Sequence, residues 1–433
     1  MFEWINRNIF GVAVPIFLIA IGVYFGCSLG WFHLLHPIKT LRAAFSGNAR
    51  SAFSSLCLAL AGTLGVGNIV GVSGAIAMGG YGAVFWMCLS AFFAMTVKFA
   101  ETVLAEKHRR DSGGSAMRYI EDSFSRLGLK RVGGVLGILF ALFLAVNALT
   151  MGSMIQTGAV ADAFFAAFSI PKYVTSAIVA IVALIIVVGG KYGIMKVTER
   201  IVPFMTVAFV IMSVWALAVR WQKIPEALFL IFKDAFSLDA AAGGAFGFLF
   251  SRALRFGVMR GLVSNEAGCG TSPMAHTASK GEVPSVRGIW GIFEVFVDTI
   301  LLCTLTALVI IVSGVSLDTN DFMWVTMSAY TSILGEWAEG VMSVAVMFFG
   351  FATVICWWHY GTVGVDFLWE KKWAKILFGV LYTLSIVLGG IVSPSFAWQA
   401  ADMSIGVMTL INLFVLFISR KEINETKNSL FSY

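Results

Sequence analysis

SAFSSLCLALAGTLGVGNIVGVSGAIAMGGYGAVFWMCLSAFFAMTVKFAETVLAEKHRR, residues Ser51 to Arg110, holds two apolar spans on either side of a bare turn at Met78-Gly79-Gly80-Tyr81. The first span is interrupted at its centre by Gly62-Thr63-Leu64-Gly65-Val66-Gly67-Asn68. Each glycine in a helix interior costs about 1 kcal/mol relative to alanine, and glycine recurs here at 62, 65, 67, 71 and 74. A plain membrane anchor gains nothing from that weakness. A helix that opens halfway across the bilayer gains exposed N–H and C=O groups, which survive at that depth only when they are buried in protein or line a cavity. Discontinuous helices of this kind carry the binding sites of secondary transporters. The competing account is close helix packing through small residues. It explains Gly67-xxx-Gly71 but leaves Thr63 and Asn68 without a role.

Composition fixes the broad class. Of 433 residues, 59% are apolar and 12% charged, against about a quarter charged in soluble proteins. The chain reads as a polytopic, all-α integral membrane protein. Its net charge of +6 follows from loop charges and does not signal nucleic acid. The six cysteines are scattered through apolar spans without metal-type spacing and read as small buried hydrophobes. The first span begins near Phe10, is long enough to cross and lacks an Ala-x-Ala exit, so no cleavable signal is expected.

Windows of about 20 apolar residues give eleven spans, centred on residues 10–32, 51–79, 83–106, 132–165, 173–189, 201–221, 238–262, 288–312, 340–365, 376–392 and 400–419. The loops after spans 1, 3, 5, 7 and 9, with the C-terminal tail, hold twenty-one Lys and Arg against five in the others. The loop 313–339 holds four acids and no base. By the positive-inside bias the C-terminus lies in the cytoplasm and the N-terminus outside, in a plasma or inner membrane. An odd span count leaves ten spans after the first. Span 2 then enters from the cytoplasm and span 7 from outside, so the two blocks of five are inverted relative to each other, an arrangement that places a site at the repeat interface. The expected units are 1–50 (extra helix and loop), 51–221 (first repeat), 222–419 (second repeat) and 420–433 (tail). The second repeat should also open on a broken helix, for which Ala240-Ala241-Ala242-Gly243-Gly244-Ala245-Phe246-Gly247 is the candidate.

A second polar stretch, RGLVSNEAGCGTSPMAHTASK from Arg260 to Lys280, brings Asn265, Glu266 and His276 to what reads as a cytoplasmic helix end. One Glu and one His ten residues apart make a poor metal or hydrolytic site, and a buried or gating hydrogen-bond network fits them better. Ionisable residues inside spans are expensive. Glu294 and Asp298 share one helix face, suited either to a relay or to ion pairs with Arg252 or Arg255. Lys98 and Glu101 are spaced to pair with each other, and Asp162 falls near the outer surface.

GTLGVGNIVGVSGAIAMGGYGAVFWM, TVKFAETVLAEKHR, RGLVSNEAGCGTSPMAHTASK and FVDTILLCTLTALVI occur in that order, and together they resemble the alanine or glycine:cation symporters, also called sodium:alanine symporters. The resemblance implies a LeuT-type five-plus-five inverted repeat preceded by one extra helix, and Na⁺-driven uptake of a small amino acid. It places the substrate carboxylate on backbone groups of Gly65, Val66 and Gly67 at a half-helix N-terminus, where free N–H groups favour an anion. Asn68 braces the break or reaches the ligands, and Gln156 binds one end of the zwitterion. Thr353 and Trp357 lie four apart, hence on one helix face, as hydroxyl contact and pocket wall. The implied Na⁺ donors are carbonyls of Ala61, Leu64 and Phe349 with the Thr353 hydroxyl. Some relatives have Thr where Val66 stands, and two Thr where this chain has Ala352-Thr353, so two hydroxyls of the family pattern are missing.

On the residues alone, Thr353 also fits a back-bonded helix hydroxyl, Trp357 ordinary packing and Gln156 an interhelical hydrogen bond. Glycines on one wall and Trp357 on another suit alanine or glycine and leave glutamine open. No organic cofactor and no enzymatic role are expected, and the partners are the amino acid, Na⁺ and lipid. Proton coupling is the alternative. A channel would need charged or carbonyl rings along a continuous pore, and an enzyme a convergent cluster that the five scattered histidines do not form.

Overall fold

A computed structural model describes residues 2–45, 49–111, 113–236, 251–280, 283–392 and 394–429. Most of these residues are helical, as backbone that cannot bond to water in hydrocarbon must be. In order, the principal helices are α1 (Gly11–Leu29), α2 (Ala49–Thr63), α3 (Val70–Gly79), α4 (Gly82–Lys107), α5 (Ala116–Arg126), α6 (Lys130–Phe168), α7 (Lys172–Val187) and α8 (Gly190–Val219). The second half contributes α9 (Ile224–Ala235), α10 (Arg252–Asn265), α11 (Ser272–His276), α12 (Pro284–Ser313), α13 (Phe322–Leu334), α14 (Trp337–Leu368), α15 (Lys372–Gly389) and α16 (Pro394–Ile418). Among the described residues eight helices are long and apolar enough to cross a membrane. The protein is therefore a polytopic helical membrane protein. Helices α2, α3, α7 and α13 are shorter apolar helices, and the expected span 238–262 lies partly outside the described residues.

Helix α4 is the axis of the packing. It lies against α1, α10 and α12, and its stretch Ala94–Ala105 is buried without a gap. Small residues on the partners allow this closeness. A Cβ on Gly257 of α10 would sit 2.3 Å from the Ala83 carbonyl oxygen, and one on Gly288 of α12 would sit 2.4 Å from the Phe99 ring. At the start of α4 the chain turns on Gly80, in left-handed backbone at φ +82°, and the Gly82 N–H donates to Asp234 Oδ2 at 2.7 Å.

Two helices are interrupted, and their halves cross. Helix α3 packs on α10 while α2 packs on α11, so the two interrupted spans run antiparallel with their breaks side by side. The second interruption is Glu266–Thr271. The Ala240–Gly247 stretch expected to form it lies outside the described residues. Two further helices contain wide, π-type turns, Thr150–Ile155 in α6 and Phe296–Cys303 in α12. Such turns concentrate at functional sites; here one delivers Gln156 and the other carries Asp298.

Candidate functional site

Helix α2 ends at Thr63 because the next residues cannot continue its ladder. The Gly65 N–H turns back to the Thr63 carbonyl at 2.8 Å, Gly65 is extended (φ −116°, ψ −161°), and a short 3₁₀ turn over Val66–Asn68 leads into α3. Around this break the structure gathers side chains from two other helices, α6 and α14. The Val66 N–H donates to Gln156 Oε1 at 3.0 Å, and Gln156 Nε2 donates to the Met151 carbonyl at 3.1 Å. The Thr353 hydroxyl donates to the Phe349 carbonyl at 3.1 Å and faces the Leu64 carbonyl at 3.4 Å. Trp357, fully buried, donates from Nε1 to the Gly62 carbonyl at 3.3 Å. The break is tight at Gly65, where a Cβ would sit 2.7 Å from Gln156 Oε1 and 2.8 Å from Thr353 Oγ1. Beyond the break, within α3, a Cβ on the buried Gly71 would meet nothing within 4 Å.

Asn68 ties the two interrupted spans together. Its Nδ2 lies 3.0 Å from Ser264 Oγ on α10 and 2.8 Å from Asp298 Oδ1 on α12, whereas its Oδ1 finds no hydrogen-bond partner among the described residues. Thus Gln156 and Thr353 meet at Gly65 and Val66, with the Leu64 and Phe349 carbonyls beside Thr353, whereas Trp357 reaches Gly62 and the Asn68 side chain faces α10 and α12. Gly67 is the next residue of the same turn, and Ala61 is a buried residue in the last turn of α2. Thr63 points away from this group, its hydroxyl returning to the Ala59 carbonyl at 3.3 Å.

The stretch from Arg260 to Lys280 contains the second interruption, between α10 and α11, with Glu266, Gly268 and Gly270 at φ +53°, +87° and +74°. A carboxylate fills this loop. Glu101 Oε2 accepts from the Gly268 and Gly270 N–H groups at 3.1 and 3.2 Å and from Asn412 Nδ2 at 2.9 Å. Lys98 lies 2.5 Å from Ser272 Oγ, 3.4 Å from Glu294 and 3.7 Å from Glu101. Glu294 also accepts from Ser272 and meets His276 Nε2 at 2.7 Å. Asp298 is held by Asn68, Ser264 and Thr299, the last two at 2.8 and 2.7 Å.

These partners replace the Arg252 and Arg255 pairing that the spacing allowed. Both arginines line a cavity of about 420 Å³ beside Asn6, Gln399 and Asp402, near the turn that joins α3 to α4. Lys98–Glu101 does pair, but within this larger network. Asp162 is only partly buried and meets Lys172 at 2.5 Å. Ser264, Thr271, Ser272 and Tyr360 carried no distinctive signal in the sequence. They are recognised only because the two breaks are adjacent. At the Arg109 end of the bundle a cleft of about 490 Å³, lined by Ser115, Arg118, Lys191, Met274, His359 and Asp366, reaches within two residues of Trp357 on α14. Among the described residues no three His, Cys, Asp or Glu converge as a metal site.

Paired interruptions inside a helical membrane bundle, with bare backbone and convergent polar side chains, define a transporter. The chain belongs to the sodium:alanine symporter family, whose model matches residues 1–430. It is 34% identical over 98% of its length to a protein of Methanococcus maripaludis called sodium/alanine symporter AgcS, covering 95% of that protein. It is 30% identical to the probable sodium/glutamine symporter GlnT of Bacillus subtilis, covering 96% of this chain and 87% of that one. An uncharacterised transporter of Haemophilus influenzae is 33% identical over 98% of this chain and 94% of its own. In fold the chain is similar to a manganese transporter of Eremococcus coleocola in a crystal structure of a mutant form, with TM-score 0.53, 12% identity, and 84% of this chain and 76% of that one covered.

Proposed function

We propose that the chain is a Na⁺-coupled symporter of a small neutral amino acid, alanine or glycine, with glutamine the further candidate, working by alternating access in a LeuT-type five-plus-five frame after one extra helix. The repeats are 51–221 and 222–419, with the N-terminus outside and the tail 420–433 in the cytoplasm. The observation that carries this proposal is the buried break at Leu64–Asn68, where the Val66 N–H, the Gln156 amide and the Thr353 hydroxyl converge. The antiparallel crossing of the two interrupted spans supports the inverted frame, and the relatives' names support sodium, alanine and glutamine.

The substrate carboxylate sits on the N–H groups of Gly65, Val66 and Gly67, at the N-terminus of α3, where the helix dipole favours an anion. It displaces Gln156 Oε1 from Val66 and leaves Gln156 to bind the substrate. Asn68 and Thr353 add polar contacts, and Trp357 closes the wall and limits side-chain size. Na⁺ takes hard oxygen donors: the carbonyls of Ala61, Leu64 and Phe349 and the Thr353 hydroxyl. Purified protein in proteoliposomes, given a panel of amino acids under imposed gradients, tests this. Saturable alanine or glycine uptake that stops when choline replaces Na⁺ is expected. Uptake driven by a pH gradient without Na⁺ would overturn the coupling ion, and non-saturable flux the carrier.

A further inference from the structure

We infer that the arginine-lined cavity at the Gly80 end of the bundle is a second site for a small amino acid, a choice of ligand that rests on the symport reading. Its carboxylate is held by arginines of α10 and its ammonium by Asp402. Arg252, Arg255, Phe256, Met259 and Arg260 all line this space of about 420 Å³. They stand at i, i+3, i+4, i+7 and i+8, which is one face of a helix. Asn6, ahead of α1, and Asp402 of α16 line it as well. The described lining thus sets three guanidiniums against one carboxylate. A guanidinium is a planar fork of five donors that matches a carboxylate. The surplus of positive charge suits an anion, and the acid in the same cavity suits a cationic group on that same ligand. A zwitterion carries both.

The polar groups of the cavity are not used up. Arg260 reaches Asp402 through one contact, Nη1 to Oδ1 at 3.5 Å, and makes no other hydrogen bond among the described residues. Its Cζ lies 4.8 Å from the centre of the Trp398 ring, a stacked placement that orients the fork. Asn6 donates from Nδ2 to the Gln399 carbonyl at 2.8 Å, whereas its buried Oδ1 finds no hydrogen-bond partner among the described residues. That oxygen is a ready acceptor for an ammonium beside Asp402. Gly11 leaves room for Arg255, since a Cβ there would stand 3.4 Å from its Nη2. The volume falls within the roughly 300–1,000 Å³ of small-molecule pockets. The cavity also communicates with the first break. Met78, at the far end of α3, lines it, about 15 Å along the helix from Asn68. Arg260 is one turn from Ser264, whose Oγ lies 3.0 Å from Asn68 Nδ2.

Equilibrium binding of radiolabelled alanine to the purified full chain in Na⁺ counts the sites. Two alanines per chain are expected. Q156A should lose one of them, and R252Q/R260Q the other. Propionate, a carboxylate without an ammonium, should displace the alanine that Q156A retains, and chloride at the same concentration should not. D402N should weaken that alanine about tenfold without weakening propionate. Should R252Q/R260Q fail to fold, D402N decides, and unchanged alanine affinity in it would sink the second site. One alanine per chain, lost in Q156A and kept in R252Q/R260Q, would overturn the inference and leave the symport reading intact. One alanine lost in R252Q/R260Q and kept in Q156A would uphold the cavity and remove the break as the binding place. Displacement by chloride as effective as by propionate would reduce the cavity to a general anion site and overturn its assignment to an amino acid.

Discussion

Gly65 is the residue on which the first break closes. A methyl there would press on Gln156 Oε1 and Thr353 Oγ1 at 2.7 and 2.8 Å. We expect Gly65→Ala to cut alanine uptake at least tenfold with membrane expression retained, and normal uptake would show that Gln156 and Thr353 yield without consequence. Gln156→Ala and Trp357→Ala should each lower uptake without lowering expression. Unchanged kinetics in both would remove these side chains from the site. Glycine at 65 was legible as a break because glycine weakens any helix, whatever packs around it. The Thr353 back-bond to Phe349 and its approach to Leu64 coexist, so the local and the functional accounts of that hydroxyl are not alternatives.

The second interrupted span was harder to read at the level of the element. The stretch Ser264-Asn265-Glu266-Ala267-Gly268-Cys269-Gly270 breaks because its loop has left-handed positions and partners for its freed amides. Glu101 supplies those partners from a different helix, and spacing within one helix carries no information about that. The same holds for Glu294: periodicity placed it on one face with Asp298, but only the docking of α12 on α4 brings Lys98 to it. Removing one member of a buried ion pair costs about 3–5 kcal/mol. Lys98→Ala should therefore lower the melting temperature of the purified protein markedly, more than Lys98→Arg. A melting temperature equal to wild type would show that Glu294 and Glu101 do not depend on that charge.

For the molecule as a whole, the polytopic helical class was legible because hydrocarbon demands long apolar helices, while the crossing of the two breaks needed the third dimension. The tail docks through charge. His108 meets Asp122 at 2.9 Å and Glu422 at 3.2 Å, and Arg126 also holds Glu422. Burial opposes the His108 charge, but Glu422 and Asp122 outweigh it and raise its pKa above the ordinary 6.5. Burial likewise opposes the Glu422 charge, yet His108 and Arg126 bring it down to about 2. The histidine contribution is complete below pH 6.5 and is lost as pH rises through its elevated value. The Glu422 contribution is lost only as pH falls toward about 2. The protection of 420–429 against hydrogen exchange, taken relative to the intrinsic rate at each pH, should fall above neutrality, and His108→Gln should flatten that dependence; pH-independent protection in the wild type would exclude the clamp. Helix α4, finally, is 72% buried over its apolar window, against 28% for α15 and 39% for α8. Acyl chains thus grip the periphery and scarcely touch the axle, so a change of bilayer thickness should alter how fast the molecule cycles more than how tightly it holds its cargo.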